Sequence, residues 1–241
     1  MYYDLEAIIL RREDFRENDL LVTVYSRGHG RIKLQARGAK RIKSKLAGHL
    51  EPVNLCLLSV VKGRLFNQLI GAETVNFFVG IKYNLIKLAY ASYMIELVDR
   101  LVGEGQKDEK VYELLRKGLE YLNKIQDTRY NKQESPKLQN LSSKQISISN
   151  VKYPIIRIVF GFKLLDLLGF NPREKKHIGL KDEIDFMVNR VVAEIINNQG
   201  IYGKLGKLNK ILDDELKGIL NQELKSVGFL RSMILGLIPK F

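Results

Sequence analysis

A single cysteine, Cys56, no tryptophan, three histidines and five prolines stand in this chain of 241 residues. One thiol excludes an intrachain disulfide and any zinc site built from several cysteines. Cys56 lies in the apolar run Leu55–Val61, where a thiol behaves as a small buried hydrophobe. His29, His49 and His177 sit in unrelated contexts, with no second histidine at i+4 and no cysteine nearby, so a histidine-based metal centre has weak support. Long apolar runs are scarce too: the longest apolar region, residues 75–102, is broken by Lys82, Lys87, Glu96 and Asp99 and reads as a buried helix, not a membrane span. The N-terminus carries Asp4 and Glu6 and lacks a signal-peptide pattern, so a reducing cytoplasm is the expected compartment.

Negative charge is missing from one stretch altogether. Residues 27–45 hold Arg27, Arg31, Lys33, Arg37, Lys40, Arg41, Lys43 and Lys45 and no carboxylate. Such a run cannot neutralise itself locally, and its free energy falls most when it meets an external polyanion. The whole chain agrees, with 40 Lys plus Arg against 27 Asp plus Glu, a net charge of +13. At 45% hydrophobic content the chain can bury a core, so disorder throughout is excluded.

Two periods divide the chain. Residues 7–10, 20–25, 32–36, 53–61 and 65–70 are short β-favouring runs separated by charged or glycine-bearing turns, and residues 26–30 have the chemistry of a tight hairpin. Five such strands in about 70 residues suggest a small barrel, because closure removes the exposed edges of so small a sheet. From about Phe77 the period approaches 3.6, first through Ile81, Leu85, Leu88, Tyr93, Ile95, Leu97 and Leu101, then through Val111, Leu114, Leu115, Leu119 and Leu122. Residues 126–150 form a polar excursion. Helix resumes at Pro154, stops at Gly169, and recurs over 182–198, 208–224 and near 229–237.

Catalytic constellations are poor. Lys43-Ser44 lacks the glycine spacing of a phosphate-binding loop, so no ATPase is implied. Asp213, Asp214 and Glu215 fall on a helix and read as a solvated face, and Glu17 and Asp19 read as local pairing that shapes a loop. Phe15, Tyr25 and Phe66 lie in or beside strands, where alternation leaves core and stacking platform both open. Cations on flexible stems around Gly38 and Ser44 suit phosphate contact; five engaged phosphates would give a salt slope of roughly −4.5. Alternatives to DNA are RNA bound by the same barrel, or an adaptor whose basic face receives acidic protein tails.

Residues 7–11, Glu17-Asn18-Asp19-Leu20-Leu21-Val22-Thr23, Gly28-His29-Gly30, Ala36-Arg37-Gly38-Ala39-Lys40-Arg41-Ile42-Lys43-Ser44-Lys45-Leu46 and Leu50-Glu51-Pro52 form an ordered set. The set resembles the N-terminal half of the RecO family of bacterial recombination mediators, with looser agreement at residues 161–170 and 224–230. The resemblance implies an α+β architecture: a five-stranded OB-fold barrel over residues 1–76 and an all-helical domain over 77–241. It further implies a non-enzymatic protein without cofactors, associated with the nucleoid. Such a protein binds single- and double-stranded DNA, anneals complementary strands, and works with RecR to load recombinase on strands coated by single-strand-binding protein. By the same resemblance the DNA contacts fall on Arg37, Lys40, Arg41, Lys43 and Lys45, with Arg27 and Arg31 as additions. The resemblance further implies that Arg157 and Lys163 would be contacts for the acidic tail of single-strand-binding protein. Many relatives carry a four-cysteine zinc site after the Leu-Leu-Gly-Phe segment; residues 171–181 here contain no cysteine, so zinc-dependent roles are not carried over.

Overall fold

The computed structural model of the chain describes residues 2–125, 143–170, 180–222, 224–228 and 230. These fall into two compact units, one built from residues 1–123 and 224–241, the other from 124–223.

The first unit begins with five strands: β1 (Tyr2–Phe15), β2 (Asp19–Ser26), β3 (Gly30–Ala36), β4 (Leu55–Val61) and β5 (Asn67–Asn76). They form a ring in the order β1-β2-β3-β5-β4, antiparallel except between β3 and β5. Period-two alternation turns Leu5, Ala7, Ile9, Val22, Val24, Leu34, Leu58 and Val60 inward, where they make one core with Cys56 and Leu69. The connection between β3 and β4 contributes Ala39 and Leu50 to the same core. That loop is therefore seated on the sheet at both ends.

The expectation of a self-contained five-stranded OB-fold barrel, with a separate all-helical domain after residue 76, is corrected on two counts. The ring is joined at the β3–β5 seam by only three parallel pairs, Leu34↔Asn67, Gln35↔Gln68 and Ala36↔Leu69, so it is not closed along its length. Residues 30–33 of β3 lie beyond the seam, and Arg31 there bridges to Glu104 instead. Second, α1 (Val79–Lys82), α2 (Leu85–Leu101) and all of α3 (Glu109–Lys124) but its last residue belong to the same unit as the strands. The physical reason is that β1 is apolar on both faces. Ile8 and Leu10 are as buried as the inward residues, yet stand outside the inner core, and α2 packs on β1 to cover them. Ion pairs reinforce this packing: the Asp99 carboxylate accepts from Arg11 Nε at 2.8 Å and from Arg31 Nη1 at 3.1 Å. Residues 225 and 226 return to the unit, their backbone N–H groups donating to the two carboxylate oxygens of Glu96 at 2.9 and 2.8 Å.

The single long helix expected from Phe77 is broken at residues 83 and 84, where the Asn84 side chain caps α2 by accepting from Lys87 N at 3.1 Å. Among the described residues no helix is long and apolar enough to cross a membrane.

The second unit holds α4 (Ser143–Leu167), α5 (Lys181–Asn189), α6 (Val192–Asn197), a short 3-10 helix (Gln199–Lys204) and α7 (Leu205–Leu220). Helix α4 starts well before Pro154, which sits inside it, so the expected restart at Pro154 is corrected. Of the expected polar excursion, residues 143–150 are helical and 126–142 lie outside the described residues. Helix α4 ends as its sequence suggests: Gly169, at φ +81°, lets its own N–H reach the Asp166 carbonyl and the Phe170 N–H reach that of Leu165, both at 3.0 Å. One expected helix over 182–198 is divided into α5 and α6 by extended backbone at Arg190 and Val191. Leu208, Leu212 and Leu216 form the buried stripe of α7.

Candidate nucleic-acid interface

Strand register decides which connections meet. Asp14 pairs with Leu20, Leu20 with Ala36, Leu34 with Asn67 and Gln68 with Val61. The β1–β2 turn, the start of the β3–β4 loop and the β4–β5 connection therefore share one end of the sheet. An edge-to-face contact of Phe15 with Phe66, ring centroids 5.6 Å apart, joins two of these turns directly.

Arg37, Lys40, Arg41, Lys43 and Lys45 are all exposed on the β3–β4 loop. Lys40 is paired with Asp14 at 2.9 Å, whereas Arg37, Arg41, Lys43 and Lys45 make no ion pair among the described residues. Arg16, Lys62 and Arg64 are exposed on the neighbouring turns. Sequence reading missed these three because each turn is short and unremarkable alone; the signal lay in the strand order, which brings them beside the loop. Two apolar side chains stand in solvent among these cations, Ile42 at 103% and Leu65 at 89% relative exposure.

The expectation that all eight cations from Arg27 to Lys45 form one uncompensated surface is corrected. Arg37 lies six residue steps beyond Arg31 along β3, about 20 Å at strand rise, so Arg27 and Arg31 belong to the opposite end. Carboxylates from the helices occupy both. Arg27 is ion-paired with Glu113 and, at 3.7 Å, with Glu109, and its guanidinium lies 5.3 Å from the Tyr112 ring centre. Arg31, with 18% of its side chain exposed, is held by Asp99. The run lacks acids in sequence, but the fold brings acids to it. Lys33 sits half-buried in the middle of β3, opposite Thr23.

The loop is held by an acid that precedes it. Asp19 opens β2, and its carboxylate accepts the Gly38 backbone N–H at 2.9 Å and the Gln35 side-chain amide at 2.8 Å. These two hydrogen bonds, first the backbone one, hold the Asp19 carboxyl below the usual carboxylate range, with Arg16 and Arg37 adding favourable charge. The local pairing expected of Asp19 is corrected: its hydrogen-bond partners lie 16 and 19 residues away, and the loop it ties is that between β3 and β4. The Lys40 N–H donates to the Asn18 carbonyl at 3.0 Å, and the Ser44 hydroxyl accepts the Leu46 N–H at 3.3 Å. Further along, the Asn54 amide donates to the carbonyls of Gly48 and His49 and accepts from Lys82 Nζ, closing the loop onto β4.

Of the aromatics, Tyr25 is core, fully buried with its hydroxyl donating to the Asp108 carbonyl at 3.2 Å. Phe15 and Phe66 are half-buried at the rim, with Arg16 5.3 Å from the Phe15 ring centre.

Arg157 and Lys163, the expected contacts for an acidic tail, are placed in the second unit. Arg157 is 6% exposed, its guanidinium donating to Asp213 and Asn209 of α7. Asp213 is thereby a part-buried partner and not the solvated face expected of it. The Lys163 ammonium donates to the Arg190 carbonyl at 2.8 Å, and burial lowers its proton affinity. Of the cysteine-free segment 171–181, residues 171–179 lie outside the described residues.

The arrangement is that of a small β-sheet module with a polycationic rim, continued by helices within one compact unit. Two family models match the chain, "Recombination protein O N terminal" over residues 1–78 and "Recombination protein O C terminal" over residues 82–131. Similar proteins include the DNA repair protein RecO of Pelotomaculum thermopropionicum, 36% identical over 113 residues that make up 47% of this chain and 44% of that protein. The DNA repair protein RecO of Halalkalibacterium halodurans is 30% identical over 127 residues, 53% of this chain and 50% of its own. That of Symbiobacterium thermophilum is 28% identical over 181 residues, 75% of this chain and 62% of its own. The chain belongs to the RecO family. It spans about half the length of the first two of these curated relatives.

Proposed function

We propose that this chain is a non-catalytic DNA-binding protein of repair and recombination that grips the phosphate backbone with the rim formed by Arg37, Arg41, Lys43 and Lys45, joined by Arg16, Lys62 and Arg64. The observation that carries the reading is the set of four cations on the β3–β4 loop that are exposed and make no ion pair among the described residues. Their family context supports it, since the curated relatives bear the name DNA repair protein.

The mechanism follows from charge. Two complementary strands repel through their phosphates; a strand held along a row of cations sheds its condensed counterions and presents bases outward, so a second strand meets less repulsion. No nucleotide hydrolysis enters this step. By its family the protein would act beside RecR, helping to load recombinase onto single strands coated by single-strand-binding protein. Annealing of labelled complementary oligonucleotides, with and without single-strand-binding protein and RecR and without ATP, is the test. Acceleration that disappears when Arg41, Lys43 and Lys45 are replaced by glutamine is the expected result; annealing no faster than the uncatalysed rate would refute the reading.

A further inference from the structure

We propose that Asp19 is a positioning residue that holds the basic loop in its binding shape, and that Gln35 and Gln68 fix Asp19 in turn. The inference rests on the reading of this loop as the polyanion site and deepens it. Its basis is a continuous chain of hydrogen bonds. Gln68 on β5 donates through Nε2 to the Gln35 side-chain oxygen at 2.8 Å, across the three-pair seam. Gln35 Nε2 then donates to one oxygen of Asp19 at 2.8 Å, and the other oxygen receives the Gly38 N–H at 2.9 Å. Gln35 is 4% exposed, and a primary amide is kept in such a place at a cost unless both its ends are bonded, as they are here. A leucine would fill the space and leave the carboxylate without its inner donor.

Position explains what charge alone does not. Asp19 places a carboxylate next to Arg37 and Arg16, inside the field meant for phosphates, where it weakens attraction for a polyanion. A surface selected for positive potential only would omit it. The carboxylate makes sense if its task is to tie the first turn of the loop, residues 37–40, to the start of β2. The cations beyond the tie then project from a fixed start instead of a mobile one, and less ordering entropy opposes binding.

Electrostatics and positioning predict opposite signs. Asp19→Ala removes one negative charge and by charge alone tightens DNA binding; by loss of position it weakens it. We expect about fivefold weaker binding to single-stranded DNA with the salt slope unchanged, because no cation has been removed. Trypsin, which cuts after Arg and Lys, should cleave within residues 37–45 about tenfold faster in the variant, the opening expected on losing a charge-assisted hydrogen bond. Gln35→Leu should give an intermediate cleavage rate, and it serves as the second variant should Asp19→Ala fail to fold by circular dichroism. In the unaltered protein the Gly38 amide should exchange with deuterium more slowly than the amides of the exposed residues Ile42 and Lys43. Cleavage at the original rate in both variants, or a Gly38 amide that exchanges like its neighbours, would overturn the clamp. Tighter DNA binding by a folded Asp19→Ala protein would overturn its positioning role. Loss of protection in the variant together with an unaltered protein that does not bind DNA would overturn the DNA reading instead.

Discussion

Replacing Arg41, Lys43 and Lys45 together by glutamine isolates the electrostatic work of the loop. These three are exposed, form no ion pair among the described residues, and lie beyond the Asp19 tie, so the substitution leaves the fold and the loop's anchor in place. Lys40 is left alone because Asp14 already neutralises part of its charge. Each phosphate neutralised on a single strand contributes roughly −0.7 to the slope of log affinity against log salt, so three lost contacts should flatten the slope by about 2.1. Raising salt from about 50 to about 200 mM would then weaken the unaltered protein roughly 18-fold more than the variant, as four raised to the power 2.1. Fluorescence anisotropy of a labelled single-stranded oligonucleotide across a salt series measures both slopes. Arg27→Gln is the internal comparison: its guanidinium is occupied by Glu113 and Glu109, and its slope should match that of the unaltered protein. Equal slopes for the triple variant and the original, or a change at Arg27 as large as one third of the triple effect, would refute the reasoning.

Other expectations concern the scaffold. Asp99→Ala strips a shared partner from Arg11 and Arg31 and should lower unfolding free energy by about 2–3 kcal/mol, less than for a fully buried pair because Arg11 is partly exposed; an unchanged urea midpoint would contradict it. Gly30→Ala should cost at least about 2 kcal/mol in thermal unfolding, since an added Cβ would lie 2.1 Å from the Gln106 carbonyl oxygen in a backbone at φ +67°. Gly28→Ala, with nothing within 4 Å, is the matched substitution expected to cost far less. Burial pushes the Cys56 thiol from its ordinary 9.0 up to about 11. An aromatic disulfide reagent near pH 8 should therefore modify it much more slowly in the native than in the urea-unfolded chain. As pH rises the unfolded thiol ionises first, so this group leaves stability unaffected below about pH 9 and reduces it between there and about 11; stability rising over that interval would contradict the assignment.

Much of the local structure was legible because it depends on near neighbours in the chain. Alternation over residues 20–25 and 32–36 marks β2 and β3, and a glycine after an apolar helical run marks the end of α4, since side-chain direction and backbone freedom are properties of a few consecutive residues. β1 exceeds its predicted span because Tyr2–Leu5 pair with β4 and Arg11–Phe15 with β2, ladders that the polar side chains there do not announce. Pro154 misplaced a helix start because proline is more common in a first turn than within α4, where it sits.

Charge was legible only as an inventory. The acid-free run at residues 27–45 and the net +13 followed from composition, and with them an affinity for polyanions; so did the β-then-helix order and the poverty of catalytic groups. Which cations remain available was decided by the tertiary structure. Coulomb attraction acts through space, so carboxylates 68 and 86 residues away, Asp99 and Glu113, neutralise Arg31 and Arg27, while strand register carries Arg16, Lys62 and Arg64 to the loop that keeps its charge.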